Sequence, residues 1–263
     1  MSETTVSPAG LERPRRFHFE WVFPIFVRPR QVFTEIAEKN RGVWQAAIVI
    51  LMVTTVVRVI VAGVISQSDP MAGQMNLPQG FESYSPEMQA QFMQAAQATS
   101  SPVFVYVFPA IINLLGVWTG WLIVGGLLHL LLMLQGGRGG TLGTMNVVAW
   151  AGMPYALRDV VRIAAMLISK RAIASPGVSG FMAANSAGFS LFVAGLLALL
   201  DIYLIWQGLL LVIGLRSGEL NLSRGRVVAT VILILLLVTV AQAGLSFVGA
   251  QFSNLNVMRP FLF

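Results

Sequence analysis

The stretch VVATVILILLLVTVAQAGLSFV, residues 227–248, contains no charged residue and is bounded on its N-terminal side by Arg224 and Arg226. A helix needs about 20 apolar residues to cross the hydrocarbon of a bilayer. The run also lacks the alternation of apolar and polar residues that is typical of a strand in a membrane barrel. It therefore predicts a transmembrane helix and makes the chain a membrane protein.

Four further runs meet the same criterion. The run at 103–134 is longer than the hydrocarbon is thick, and Pro109 is expected to kink it or to separate a short outer piece from the true span. The run at 146–168 is the least apolar, because it holds Pro154 and several charges. The prediction is an all-α polytopic bundle of five transmembrane spans, with a short amphipathic interfacial helix before the first: 44–65, 103–134, 146–168, 188–215 and 227–248.

Composition excludes most other classes of protein. Hydrophobic residues make up 56% of the 263 residues and charged ones only 11%, and the mean hydropathy is +0.75. A soluble domain carries roughly 25% charged residues. A soluble globule, a disordered chain and an ordinary nucleic-acid-binding domain are therefore excluded, and we expect membrane lipids and no nucleic acid as partners. Because cysteine is absent, disulfides, thiolate metal sites and a cysteine nucleophile are excluded as well.

The distribution of lysine and arginine predicts the orientation. Most basic residues lie before the first span or in the loops after the second and fourth, whereas residues 67–102 have none. Basic residues are enriched in cytoplasmic loops. We expect a multi-pass protein of the plasma membrane with a mobile cytoplasmic N-terminus (1–16), a cytoplasmic interfacial segment (17–43), a five-span domain (44–249), an outer loop with a short helix (67–102) and an extracytoplasmic tail (250–263).

The interfacial segment combines an aromatic cluster with a short helix predicted from Pro29 to about Glu38. Its apolar side chains predict a helix lying on the cytoplasmic leaflet. Packing beneath the bundle accounts for the same pattern, and the sequence leaves both interpretations open. The candidate interfacial anchors are Trp21, Phe23, Phe26 and Phe33.

Five charged residues fall inside the predicted spans. A charge in hydrocarbon costs several kcal/mol unless it is paired or hydrated, so such residues are candidates for a functional site. One interpretation is a polar site or ion path, with Asp201 facing Arg58 or Arg162. The other, which we favour because transport routes usually have more polar lining, is a structural ion pair that fixes helix packing. The candidate intramembrane polar cluster is Arg58, Arg158, Asp159, Arg162 and Asp201.

Gly116 and Gly120 form a GxxxG pattern within a span, which permits close approach of helices. Packing within the bundle and formation of a homo-oligomer both account for it, and Pro154 is a third candidate for helix packing. Catalytic chemistry is not expected, because the two histidines, His18 and His129, belong to no Ser-His-Asp or HExxH arrangement. We therefore expect no catalytic residues, no cofactor and no metal site.

Several motifs, in order, resemble the YIP-type family of five-span membrane proteins, which is named in eukaryotes for interaction with Rab-class GTPases. They are Arg28-Pro29-Arg30-Gln-Val-Phe33, Gln135-Gly-Gly-Arg-Gly-Gly140, Val148-Ala-Trp-Ala-Gly-Met-Pro154, Ile205-Trp206, Gly214-Leu-Arg216 and Leu222-Ser-Arg-Gly-Arg226. The Asp-Leu-Tyr-Gly-Pro-type motif of eukaryotic members is missing, and the short N-terminus resembles bacterial members. Some of those accompany ABC-type efflux systems, so the resemblance implies a bacterial inner membrane and an accessory protein.

Three hypotheses follow for the function. The first is a non-enzymatic integral membrane scaffold or accessory protein that binds and modulates a membrane partner, with the permease or adaptor of an ABC transporter as the candidate. The second is a small transporter or channel that uses the intramembrane polar cluster. The third is a membrane-shaping or lipid-organising protein, which the aromatic segment and the basic N-terminus suggest.

Overall fold

A computed structural model describes residues 17–39, 41–68, 81–173, 189–218 and 220–253. Within these ranges every regular element is helical, which confirms the all-α polytopic bundle. The termini (1–16 and 254–263) and parts of the two loops predicted on the outer side lie outside the described residues. Ten α-helices are described: α1 (Pro24–Val27), α2 (Pro29–Glu38), α3 (Gln45–Ser68), α4 (Pro86–Thr99), α5 (Phe108–Leu134), α6 (Thr141–Ala151), α7 (Met153–Ser169), α8 (Phe189–Leu199), α9 (Ile202–Ser217) and α10 (Arg224–Ser253).

Three helical stretches are long and apolar enough to cross a membrane by themselves: Gln45–Ser68, Val103–Leu134 and Arg224–Val248. In the second, a π-helical segment over Val103–Val107 runs directly into α5, and Pro109 is the second residue of α5. Among the described residues, a fourth span results only if α8 and α9 are counted as one broken helix. The two are bent by 57° relative to each other around Asp201.

The third predicted span, 146–168, departs from the prediction. The chain there forms two helices, α6 and α7, which meet at Gly152, and neither is long and apolar enough to qualify as a span. Pro154 lies in the first turn of α7, a position that favours starting a helix over continuing one. Three of the five predicted intramembrane charges lie on α7, which accounts for its lower apolarity. A count of five spans is therefore not confirmed.

Side-chain contacts fix the relative directions of the helices. Val43 N–H donates to Asn146 Oδ1 at the start of α3, and Thr55 lies beside Asp159 farther along, so α3 runs parallel to α6 and α7. By contrast, α5 runs antiparallel to α3, and α9 runs antiparallel to α6 and α7. We call the two ends of the bundle the Gln45 end and the Ser68 end, after the first and last residues of α3.

The apolar core is concentrated towards the Gln45 end, where the N-terminal segment packs into it. The side chains of Trp21, Ile25 and Phe33 are almost completely buried, and Phe33 lies against Gly214 of α9. A Cβ added at Gly214 would lie 2.6 Å from Val147 Cγ1 and 2.8 Å from Phe33 Cε1, so only glycine allows this approach. The segment therefore packs beneath the bundle, the second of the two interpretations that the sequence left open.

Candidate functional site: paired charges between the helices

Arg58 of α3 and Asp159 of α7 form the first of two ion pairs between the helices. Arg58 Nε lies 3.0 Å from Asp159 Oδ1, and the Asp159 side chain is only 6% exposed. Thr55 lies about one turn before Arg58 on α3, and its hydroxyl donates to Asp159 Oδ2 at 3.1 Å. Both carboxylate oxygens therefore face a group on α3, as a buried charge requires.

The same arginine also reaches a third helix. Arg58 Nη2 donates to Asn113 Oδ1 at 2.8 Å, and Asn113 Nδ2 donates to the carbonyl of Pro109 one turn earlier in α5. Because Pro109 is the second residue of α5 after the π-helical segment, this amide also helps to fix the start of the regular helix. Arg58 thus joins α3, α5 and α7 through its guanidinium.

The second ion pair lies between α7 and the break that precedes α9. Arg158 Nη1 donates to Asp201 Oδ2 at 3.2 Å. The other oxygen of Asp201 accepts from the backbone N–H of Leu204 at 2.9 Å, so Asp201 is the N-cap of α9. Aspartate is favoured there because its charge interacts well with the helix dipole and with a free N–H group. Asp201 therefore lies at the break between α8 and α9, and not in the middle of a continuous span.

Tyr155 extends this second pair towards the Gln45 end. Its hydroxyl donates to Gln207 Oε1 at 2.7 Å, and the guanidinium carbon of Arg158 lies 4.5 Å from the centre of its ring. A cation over an aromatic face is attracted by the quadrupole of the ring. Together these contacts set the register between α7 and α9.

Arg162 is the one member of the predicted cluster without such a partner. It lies four residues after Arg158 on α7, is partly buried, and has neither a salt bridge nor a hydrogen bond within the described ranges. The ion-path interpretation placed Asp201 opposite Arg58 or Arg162, and neither contact occurs among the described residues. The register set by Tyr155 and Gln207 places Asp201 beside Arg158 instead.

The cluster thus contains two compensated ion pairs and one additional cation. Four polar members escaped the sequence analysis, namely Thr55, Asn113, Tyr155 and Gln207. Their signal was present in the sequence, because each is a polar residue within an apolar run. The described part of the chain contains no group of three or more His, Cys, Asp or Glu side chains that could hold a metal ion. The groups present can bind or neutralise charge and fix the helices in place.

Comparison with known proteins decides the family. The family model described as the Yip1 domain matches residues 23–245, which extend from α1 into α10 and include the whole polar cluster. The chain belongs to the Yip1 domain family. No curated protein and no solved structure was found that matches it. Membership in the Yip1 family supports an integral membrane protein, in agreement with the apolar helices of the bundle.

The candidate helix-packing residues of this Yip1-family chain lie in two kinds of surroundings. A Cβ added at Gly116 or Gly120 would have no atom within 4 Å, so this face of α5 is open. Among the described residues, this face therefore makes no close packing within the bundle, which was the first of the two roles that the sequence left open. Pro154, in contrast, is buried within the bundle at the start of α7.

The four candidate anchors also divide into two groups. Trp21 and Phe33 are buried in the core, and Phe26 is partly buried and packs edge-on against Trp206 of α9. The cause is that α1 and α2 turn their apolar faces towards α6 and α9. Phe23 alone among the four is largely exposed, at 75%. The aromatic face on which the membrane-shaping hypothesis rested is therefore mostly covered by the bundle.

Proposed function

We propose that this Yip1-family protein is a non-enzymatic integral membrane scaffold or accessory protein that binds and modulates a membrane partner. The proposed partner is the permease or adaptor of an ABC-type efflux system. Both aspartates of the polar cluster are paired with arginines, which favours a brace between helices over a transport path. If the polar cluster is a brace, the outer surface of the bundle is the candidate site for binding a partner.

The observation that carries the proposal is the open face of α5 around Gly116 and Gly120. Small residues spaced by four let two transmembrane helices approach closely, and the contact is made through van der Waals packing. Leu115 and Thr119, which flank the two glycines, are also exposed. We propose that a transmembrane helix of the partner packs on this face.

Substitution of both glycines by leucine tests the contact. We expect the variant Gly116→Leu/Gly120→Leu to recover at least tenfold less partner than wild type in affinity purification from the native host, a loss of about 1.4 kcal/mol or more. The added side chains project into open space, so the fold is expected to remain intact. The measurement is the ratio of partner to bait by quantitative mass spectrometry.

Gly126→Leu is the matched control. Gly126 lies on the same helix and also has no atom within 4 Å of an added Cβ, but it faces about 80–120° away around the helix axis. This variant should recover the partner as wild type does. Equal recovery by all three proteins would contradict the α5 contact, and the absence of any stoichiometric membrane partner of wild type would contradict the accessory function itself.

We also propose that the Gln45 end faces the cytoplasm of a bacterial cell and that the Ser68 end faces outwards. Arg28, Arg30, Lys39, Arg41 and Arg138 lie at the Gln45 end, and cytoplasmic segments are enriched in such residues. Lys170 and Arg171 lie at the Ser68 end, where long basic side chains can reach the interface.

Single cysteines test this orientation without background, because the chain has no cysteine of its own. In intact cells, an impermeant thiol reagent should label Ser68→Cys and Ser101→Cys and should spare Ser223→Cys. The last should become labelled only after the cells are opened. Labelling of Ser223→Cys in intact cells would reverse the proposed orientation.

A further inference from the structure

Arg162 lies where the described part of the bundle supplies no counter-charge. The cluster holds three arginines and two aspartates, and both aspartates are engaged by Arg58 and Arg158. The charges of the other four members all act on Arg162, but none of the described residues forms a salt bridge with it. Among the described residues, one positive charge therefore remains without a partner in a partly buried position, which is costly in a membrane.

The hydrogen-bonding donors of the cluster are not saturated either. Arg158 Nε is buried and has no acceptor among the described residues. Arg158 and Arg162 are four residues apart on α7, so their side chains share one face of the helix. This face therefore presents more donors than the two aspartates can satisfy.

Arg162 lies beside the bend at Asp201. The second half of the broken helix, α9, packs against α7, whereas α8 turns by 57° and packs mainly along α10. Arg162 lies one turn beyond Arg158 on the side towards α8, so it is next to the point where the two halves diverge. The partial exposure of Arg162 agrees with this position.

Arg162 also lies within reach of lipid headgroups. It precedes Ser169, the last residue of α7, by seven residues, which corresponds to about 10 Å along the helix. A long basic side chain can extend towards the interface while its stem stays in an apolar environment. A charged group at the membrane surface of the Ser68 end can therefore meet the guanidinium.

We propose that Arg162 binds a phosphate group that carries one negative charge, at the Ser68 end of α7. One such charge balances the cluster, and the planar guanidinium suits the geometry of phosphate oxygens. The phosphate comes either from the headgroup of an anionic phospholipid or from a phosphate compound in solution. This site does not depend on the accessory function, because it needs no protein partner.

Thermal unfolding of the purified full-length protein in detergent tests the site with three probes: phosphatidylglycerol, phosphatidylcholine and inorganic phosphate. Phosphatidylglycerol should raise the unfolding temperature of wild type more than phosphatidylcholine does. In phosphatidylcholine, the positively charged choline group competes with Arg162 for the phosphate of the same lipid. Arg162→Gln should weaken the affinity for phosphatidylglycerol roughly ten- to a hundredfold, as expected for loss of a charged hydrogen-bonding group. If inorganic phosphate produces the Arg162-dependent shift instead, the source is in solution.

Arg171→Gln is the matched control, because Arg171 is exposed near the same end of α7 and its loss changes the net charge equally. It should respond to phosphatidylglycerol as wild type does. Native mass spectrometry, which counts the lipids retained by folded protein alone, repeats the comparison independently of unfolding temperature. The site is refuted if Arg162→Gln responds to phosphatidylglycerol and to inorganic phosphate as wild type does, or if Arg171→Gln loses as much affinity for phosphatidylglycerol as Arg162→Gln.

Discussion

Replacement of Asp159 by alanine is expected to destabilise the bundle by about 3–5 kcal/mol, the cost of leaving one charge of a buried ion pair uncompensated. Arg58 would lose the carboxylate 3.0 Å from its Nε, and Asn113 would be its one remaining hydrogen-bond partner among the described contacts. Thr55 would lose its acceptor as well, although its hydroxyl can turn to a backbone carbonyl of its own helix. The measurement is the free energy of unfolding of the purified protein in mixed micelles.

The double variant Arg58→Met/Asp159→Leu distinguishes a brace from a functional site. Replacing both charges of a buried pair by apolar side chains of similar size is often neutral or stabilising. We therefore expect the double variant to be more stable than Asp159→Ala and to recover the membrane partner as wild type does. A stable double variant that has lost partner recovery would contradict the interpretation of this pair as a brace.

Trp150→Ala is expected to cost about 3–5 kcal/mol, the usual range for truncating a buried large aromatic side chain. Trp150 is completely buried in the core, and its ring meets that of Trp21 edge-on with 5.5 Å between centres. Its Nε1–H also donates to the carbonyl of Val43 at 2.9 Å. The loss therefore affects α6, the N-terminal segment and the link that leads into α3, and it is measured in the same unfolding experiment.

Two variants separate the contributions at this position. Trp150→Phe keeps an aromatic ring but leaves the Val43 carbonyl without its donor, so a smaller loss of about 1–3 kcal/mol is expected. Trp206→Ala removes the same kind of side chain from a partly exposed position against Phe26. If Trp206→Ala lowers the free energy of unfolding as much as Trp150→Ala does, burial in the core does not determine the size of the loss.

Hydropathy predicts the apolar helices of this protein well, but it misses where two of them break. A window average over 146–168 or 188–215 records how apolar a run is and is insensitive to where its hydrogen-bonding pattern is interrupted. The local signals were nevertheless present: Pro154 favours the first turn of a helix, and Asp201 before an apolar run favours an N-cap. The prediction relied on the mean hydropathy of each run and did not use these two local signals.

The pairing of the charges could not be predicted from the sequence in the same way. Which arginine meets Asp201 depends on which helices are neighbours and on their register, and these are tertiary properties. In this bundle, the contact of Tyr155 with Gln207 places Arg158 beside Asp201, whereas Arg162 lies one turn farther along. The sequence could predict that the intramembrane charges need partners, but the partners themselves follow from the packing of α7 between α3 and α9.

The close contact of Phe33 with Gly214 has a consequence for how the chain is made. The N-terminal segment is synthesised first, but the surfaces that bury it, on α6 and α9, leave the ribosome more than a hundred residues later. Until then Trp21, Ile25 and Phe33 have no bundle to pack against. An amphipathic helix in this situation lies at the membrane surface. The same face would then serve successively as a surface helix during synthesis and as part of the core once α9 is in place.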